Sequence, residues 1–203
     1  MTMPKMKGKA AIPLLNNLKK IDSNVRWEEP FDWLFLPKSN ERLEQETQIL
    51  EALQEDCRQN KDQFSNSKKE CCWEDIYSQD ERIKGITRKL EFDFYLPKFN
   101  LAIEFDELQH FTHERQLTFK YYPNNGFSYD VARWQELCSM GKNDPYPPCR
   151  DWQRAFRDAV RDLRARKNGL PLLRLYITDF DEKAFNEKET LCKLLNIIQK
   201  ITK

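Results

Sequence analysis

Apolar residues recur along the chain with two periods, and the change of period marks its elements. From Asn40 to Cys57, Leu43, Leu50, Leu53 and Cys57 return at helical spacing, which predicts a helix. From Asp151 to Lys167 the same period places Trp152, Phe156, Ala159, Val160 and Leu163 on one stripe. Arg154, Arg157, Arg161 and Arg164 line the other face, and Gly169 ends the run. A closing helix is predicted over 182–201, with Leu191, Leu194, Leu195 and Ile198 inward. The segment Lys89 to Leu96 instead alternates strictly, with Leu90, Phe92, Phe94 and Leu96 on one face and Glu91, Asp93 and Tyr95 on the other. Leu101 to Asp106 continues the two-residue period after a turn at Pro97 to Asn100, and "LPLLRLYI" predicts a later buried strand.

The remaining segments set the organisation. Residues 1–20 predict a flexible basic arm that becomes helical near Leu14 to Ile21, and "WEEPFDWLFLP" an apolar strap ended by Pro37. Residues 58–69 form a polar linker, and Trp73 to Tyr77 a short apolar element. His113 to Pro148 predicts an irregular excursion around a short helix near Tyr129 to Cys138. The expected organisation is an arm and strap over 1–37, then one α/β domain over 38–203 with an irregular insertion at about 112–150.

A length of 203 residues with 12% aromatic content suffices for one good core. The net charge of +1 carries no demand for a polyanionic partner, but it hides an asymmetry. Residues 1–20 hold five lysines and no acid, while residues 150–174 hold seven arginines and one lysine against three aspartates. The expectation is an intracellular protein without a membrane partner, since no apolar run reaches 18 residues and the lysine-rich start lacks a secretory pattern. The six cysteines include no CxxC, so a structural Zn²⁺ on Cys71 or Cys72 with Cys138 and Cys149 is a weak alternative to buried thiols.

The hairpin over 89–106 concentrates the chemistry. If Leu96 faces Leu101, Asp93 lies across from Glu104 and Glu91 from Asp106, with all four carboxylates on one face. Facing carboxylates repel and raise one another's proton affinity, and a divalent cation relieves both effects. The alternative is a salt-bridged surface using Arg88, Lys89 or the arginines of the 151–167 helix. Glu46, between Leu43 and Leu53 on the packed side of its helix, is either a further ligand or an edge residue reaching water. His110 and His113, the two histidines of the chain, follow the acidic strand and suit either proton handling or polar packing.

The block "LEFDFYLPKFNLAIEFDELQH" resembles the catalytic segment of the restriction-endonuclease-like, or PD-(D/E)XK, nuclease superfamily. The likeness is to the variant shared by very-short-patch repair endonucleases and small nuclease domains of phages, large DNA viruses and mobile elements. The resemblance matches Asp93 to the motif aspartate, Glu104 to the second metal-binding acid, Asp106 to the lysine position and His110 to a following histidine. Downstream, "DAVRDLRARKNGLPLLRLY" is similar to the family's helix and strand, with Asp158 and Arg161 in its Asp-x-x-Lys/Arg step, Asn168 or Gly169 at the turn and Arg174 on the strand. Glu46 fits the first-helix glutamate. Glu107 departs from the pattern, standing where the family usually has glycine.

The resemblance implies a restriction-endonuclease-like core with a central mixed sheet of four or five strands flanked by helices. It implies an endonuclease that hydrolyses DNA with Mg²⁺, or Mn²⁺ in its place. Asp93 and Glu104, with Glu46, would hold the metal; Asp106 and His110 would orient or activate water. Lys89, His113, Arg154, Arg157 and Arg161 would meet nucleic-acid phosphates, and Arg174 would fix the acids. The competing expectations are an endoribonuclease, and a catalytically inactive nuclease fold used in nucleic-acid binding or protein assembly.

Overall fold

A computed structural model describes residues 11–60, 89–141, 149–179 and 187–202. Their elements run α1 (Ala11–Ile21), β1 (Arg26–Phe35), α2 (Glu44–Asn60), β2 (Lys89–Leu96), β3 (Leu101–Asp106), α3 (His113–Thr118), α4 (Val131–Met140), α5 (Cys149–Lys167), β4 (Leu172–Tyr176) and α6 (Glu187–Ile201). The strands form one four-stranded sheet in the order β1-β2-β3-β4. The first two pairings are antiparallel and β3–β4 is parallel, so the sheet is mixed. Its flanking helices complete the α/β architecture that the alternation of periods implies.

The hairpin adopts the register expected from its alternation, with Leu96 opposite Leu101 and Phe94 opposite Ile103. Its turn works because Asn100 takes the left-handed region at φ 46°, which asparagine tolerates better than most side chains. The Asn100 N–H donates to the Pro97 carbonyl at 3.2 Å, and its Oδ1 accepts the Tyr95 hydroxyl at 2.9 Å. The segment expected as a strap is strand β1. It pairs with β2 from Arg26 to Pro30, beyond which the register shifts; Pro30 has no N–H to continue a ladder.

Two apolar layers cover the sheet. On one side, Ile49, Leu50 and Leu53 of α2 and Trp152, Phe156, Ala159 and Val160 of α5 pack with Phe92, Ala102 and Leu172. On the other, Leu14 and Leu18 of α1 and Leu194 and Ile198 of α6 pack with Phe94, Leu101, Ile103 and Leu175. Each of the leucines, isoleucines, valines and phenylalanines among them, taken fully from water, contributes about 1.5–3 kcal/mol. Leu14 and Leu18 therefore make α1 part of the core rather than part of a flexible arm. Arg58, Gln59 and Asn60, expected to begin a polar linker, are instead the last turn of α2. The basic residues 1–10, the linker from 61 to 69, Trp73 to Tyr77, Cys71 and Cys72 lie outside the described residues.

Every residue of β3 is buried, including Glu104 and Asp106. The acid-bearing face is roofed by α5, whose arginine face does not look into water as an amphipathic surface helix would. Asp158 and Asp162 are buried, Arg164 is nearly so, and Arg154 and Arg161 are half-buried. The polar side of α5 is turned inward because it meets polar partners of opposite charge there.

Candidate functional site

Strands β2 and β3 part at the acids. Their last paired residues are Phe94 and Ile103, and the next positions, Asp93 and Glu104, replace ladder bonds with side-chain bonds. The Phe105 N–H donates to Asp93 Oδ2 at 2.8 Å, and the Asp93 N–H donates to Glu104 Oε1 at 3.3 Å. The two carboxylates are thus cross-braced by the backbone between them. Among the described residues no donor reaches Asp93 Oδ1 or Glu104 Oε2, which leaves one oxygen on each acid without a partner.

Burial raises the proton affinity of both acids. The Asp93 carboxyl is pushed above its ordinary range by desolvation, against the pull of the Phe105 N–H and Arg161. Glu104, 4% exposed, is pushed well above it by burial, with Arg161 opposing and Asp93 adding to the rise. The Arg161 Nε stands 3.4 Å from Glu104 Oε1, too long to offset the cost of burying that charge. Two desolvated carboxylates with unpartnered oxygens are a chemically suitable set for a hard divalent cation.

Beside them lies a denser network. Arg174 of β4 donates through Nη1 to both oxygens of Asp106, at 2.6 and 2.8 Å, and through Nε to Asp162 Oδ1 at 2.8 Å. The Trp134 indole N–H also donates to Asp106 Oδ2, at 2.7 Å. Parallel pairing sets Glu104 beside Arg174, and the guanidinium reaches two residues further along β3 to Asp106. His110 Nδ1 sits 2.8 Å from Asp158 Oδ2 and 3.5 Å from Asp106 Oδ1. Burial favours the charged form of neither partner, yet their attraction wins. Asp158 is lowered by His110, Arg174 and Arg115, and His110 is raised by Asp158 and then Asp106. An ionised Asp158 requires Nδ1 to carry the hydrogen, which fixes the ring and leaves Nε2 for exchangeable chemistry.

Asp106, His110 and Asp158 each bring one ligand atom to within 4.8 Å of the others, so this cluster is also capable of coordinating a metal ion. Its charges are already compensated, by Arg174 at Asp106 and by His110 at Asp158. Asp106, expected to orient or activate water, accepts from Arg174 and Trp134. Glu107 costs the turn nothing, because its φ of −88° needs no glycine. Its carbonyl accepts the His110 N–H at 2.9 Å, which brings the histidine back over the acids.

Other expected residues have different partners. Glu46 is fully buried and bound by Arg164, at 2.8 Å from Nε and 3.2 Å from Nη2, while its Oε2 accepts the Leu43 N–H at 2.9 Å. Glu46, expected as a further metal ligand, has Arg164 as its cation and caps the start of α2. Glu91 is exposed and paired across to Pro30 of β1, so it does not join the acidic cluster. Lys89 is exposed; His113 is exposed and 3.3 Å from Asp56. Arg154 Nη1 donates to the Gln109 carbonyl at 2.7 Å, and among the described residues the buried Nε of Arg157 has no acceptor. Cys138 lies among Phe111, Phe119 and Trp134, and its possible zinc partners fall outside the described side chains.

The sequence reading missed Trp134, Arg115, Asp162, Tyr122 and Tyr129. Asp162 accepts from Arg115, from Arg174 and from the hydroxyls of Tyr122 and Tyr129, both at 2.7 Å. One signal was present: Asp158 and Asp162 are one helical turn apart within an arginine-rich face, the spacing of a shared inward stripe. In comparisons with protein families, curated proteins and solved structures, no match to the chain was found. The chain is an α/β protein with a buried acidic site and a three-residue cluster able to hold a metal ion.

Proposed function

We propose that this protein is a metal-dependent endonuclease of the restriction-endonuclease-like class, hydrolysing phosphodiester bonds in DNA. The observation that carries the proposal is the crossed pair Asp93 and Glu104 at the point where β2 and β3 part, each with one unpartnered oxygen. A divalent cation held between them, Mg²⁺ or Mn²⁺, would polarise the phosphodiester and lower the pKa of water. Asp93 and Glu104 hold that charge in this reading, and Glu46 stays with Arg164. His110 handles the proton at Nε2, its ring oriented by Asp158. Arg157 and Arg161 offer donors to backbone phosphates, and Lys89 and His113 extend the contact at the surface.

The decisive experiment is cleavage of duplex, single-stranded and mismatched DNA, and of RNA, with Mg²⁺ or Mn²⁺. Wild type is expected to cleave DNA, and Asp93→Ala and Glu104→Ala to lose that activity. Equal cleavage by wild type and both variants would reject the mechanism, and preference for RNA would move the protein to the endoribonucleases. A second reading draws on the cations already at the acids, Arg174 on Asp106 and Arg161 near Glu104. It is a non-catalytic nuclease fold used in binding or assembly, and it predicts nucleic-acid binding without cleavage under any metal.

A further inference from the structure

Two arginines, one buried and one half-buried, serve the acidic site in different ways. Arg174 is fully enclosed and held by three contacts of 2.6 to 2.8 Å. Arg161 is 19% exposed, and both of its carboxylate contacts, to Glu104 Oε1 and Asp158 Oδ1, are 3.4 Å long. Its one short contact is Nε to the Glu91 carbonyl, at 2.9 Å. Among the described residues its Nη2 has no acceptor. One turn earlier on the same helix face, the buried Nε of Arg157 also has no acceptor among the described residues. Arg161 therefore holds a spare donor next to an incompletely compensated acid, and Arg157 a second spare donor one helical turn away.

We infer that Arg161 is a displaceable counter-cation: it shields Glu104 until a divalent cation binds there, and its guanidinium is then released, with Arg157, to a nucleic-acid phosphate. This inference rests on the metal site proposed above and adds its regulation. A divalent cation and Arg161 compete for one carboxylate, whereas a phosphate and Glu104 compete for Arg161. Metal and nucleic acid then favour one another's binding, because each frees the group that the other needs. The arrangement would leave the site poorly charged with metal until a polyanion arrives.

The test is Mn²⁺ binding by the full chain, followed by electron paramagnetic resonance, for wild type, Arg161→Gln, Arg161→Lys and Glu104→Gln. Arg161→Gln should bind Mn²⁺ about 5-fold or more tightly than wild type, the low end of ordinary coupling between sites. Arg161→Lys, which keeps the charge, should remain near wild type. Equal or weaker binding by Arg161→Gln, with binding abolished in Glu104→Gln, would overturn the displacement and leave the metal site standing. Indistinguishable binding by wild type and Glu104→Gln would reject the metal site itself. A measurement on wild type needs no variant at position 161 to fold: the Arg161 Nε–H resonance should shift on saturation with Mg²⁺. An unmoved resonance in a chain that binds Mg²⁺ overturns the inference.

Discussion

Arg174 grips Asp106 with a single nitrogen placed 2.6 and 2.8 Å from its two oxygens, while its Nε holds Asp162. Asp106 and Asp162 come from different elements, β3 and α5, so one guanidinium ties the sheet to its roof. Replacing Arg174 with alanine leaves the buried Asp106 without its arginine, takes from Asp162 one of its two, and removes a contact to Asp158 at 3.8 Å. The expected loss is about 3–5 kcal/mol, the usual consequence of breaking a buried pair. Urea unfolding followed by tryptophan fluorescence measures it, and a loss below about 1 kcal/mol would refute the tie.

Glu104→Gln should separate function from stability. The substitution removes a desolvated charge while preserving the shape and an oxygen to accept the Asp93 N–H. In metal-free buffer the variant is expected to gain about 0.5–2 kcal/mol, as substitutions at strained functional positions commonly do. Mn²⁺ binding should vanish in the same protein. A large destabilisation in metal-free buffer would instead mark Glu104 as a structural acid paired with Arg161.

Acid should weaken the fold through Asp162. Burial alone would raise its pKa, but Arg174 and Arg115 beside it hold the carboxyl below its ordinary range. A folded pKa below the unfolded value of about 3.9 means stabilisation that is present above about pH 4 and lost as pH falls through the folded value. Urea midpoints collected from about pH 6 to about pH 3 should therefore fall more steeply for wild type than for Asp162→Asn. Parallel curves for the two proteins would remove Asp162 from the acid response.

Cys138 should resist modification in the folded protein. It is buried among aromatic rings, and burial pushes its thiol pKa up to about 11, so little thiolate exists at neutral pH. Iodoacetamide labelling followed by peptide mapping should find Cys192, which is exposed, modified well before Cys138. Comparable labelling at the two positions would show that the cluster around Trp134 opens readily.

The alternation of Leu90 to Leu96 and of Leu101 to Phe105 was enough to place the hairpin and its register at Phe94 to Leu96, but the expected single apolar face divides. Leu90 and Phe92 pack in the layer under α2 and α5, and Phe94 and Leu96 in the layer under α1 and α6. The same pattern placed Asp93 next to Glu104. It could not show that the face bearing these acids is roofed, since alternation records only which residues share a side. The roof is α5, and its arginines read as a solvated surface because helical periodicity separates polar from apolar without saying what the polar side meets. Trp134 and Arg115 were illegible for a related reason: their partners are 28 and 47 positions away, and no local pattern reports such contacts. Glu46 stood out correctly as an acid on a packed face, but its cation, Arg164, is 118 residues distant.

The donors that converge on Asp162 also constrain how the chain folds. Arg115, Tyr122 and Tyr129 arrive from the excursion between β3 and α5, and Arg174 arrives from β4, the edge of the sheet. A carboxylate cannot be stripped of water until those donors are in place, so the excursion and the parallel strand must close over it together. Residues 115–129 are thereby expected to open and close together with the sheet. Their protected amides should exchange with solvent only through global opening, at the same free energy as the centre of the sheet.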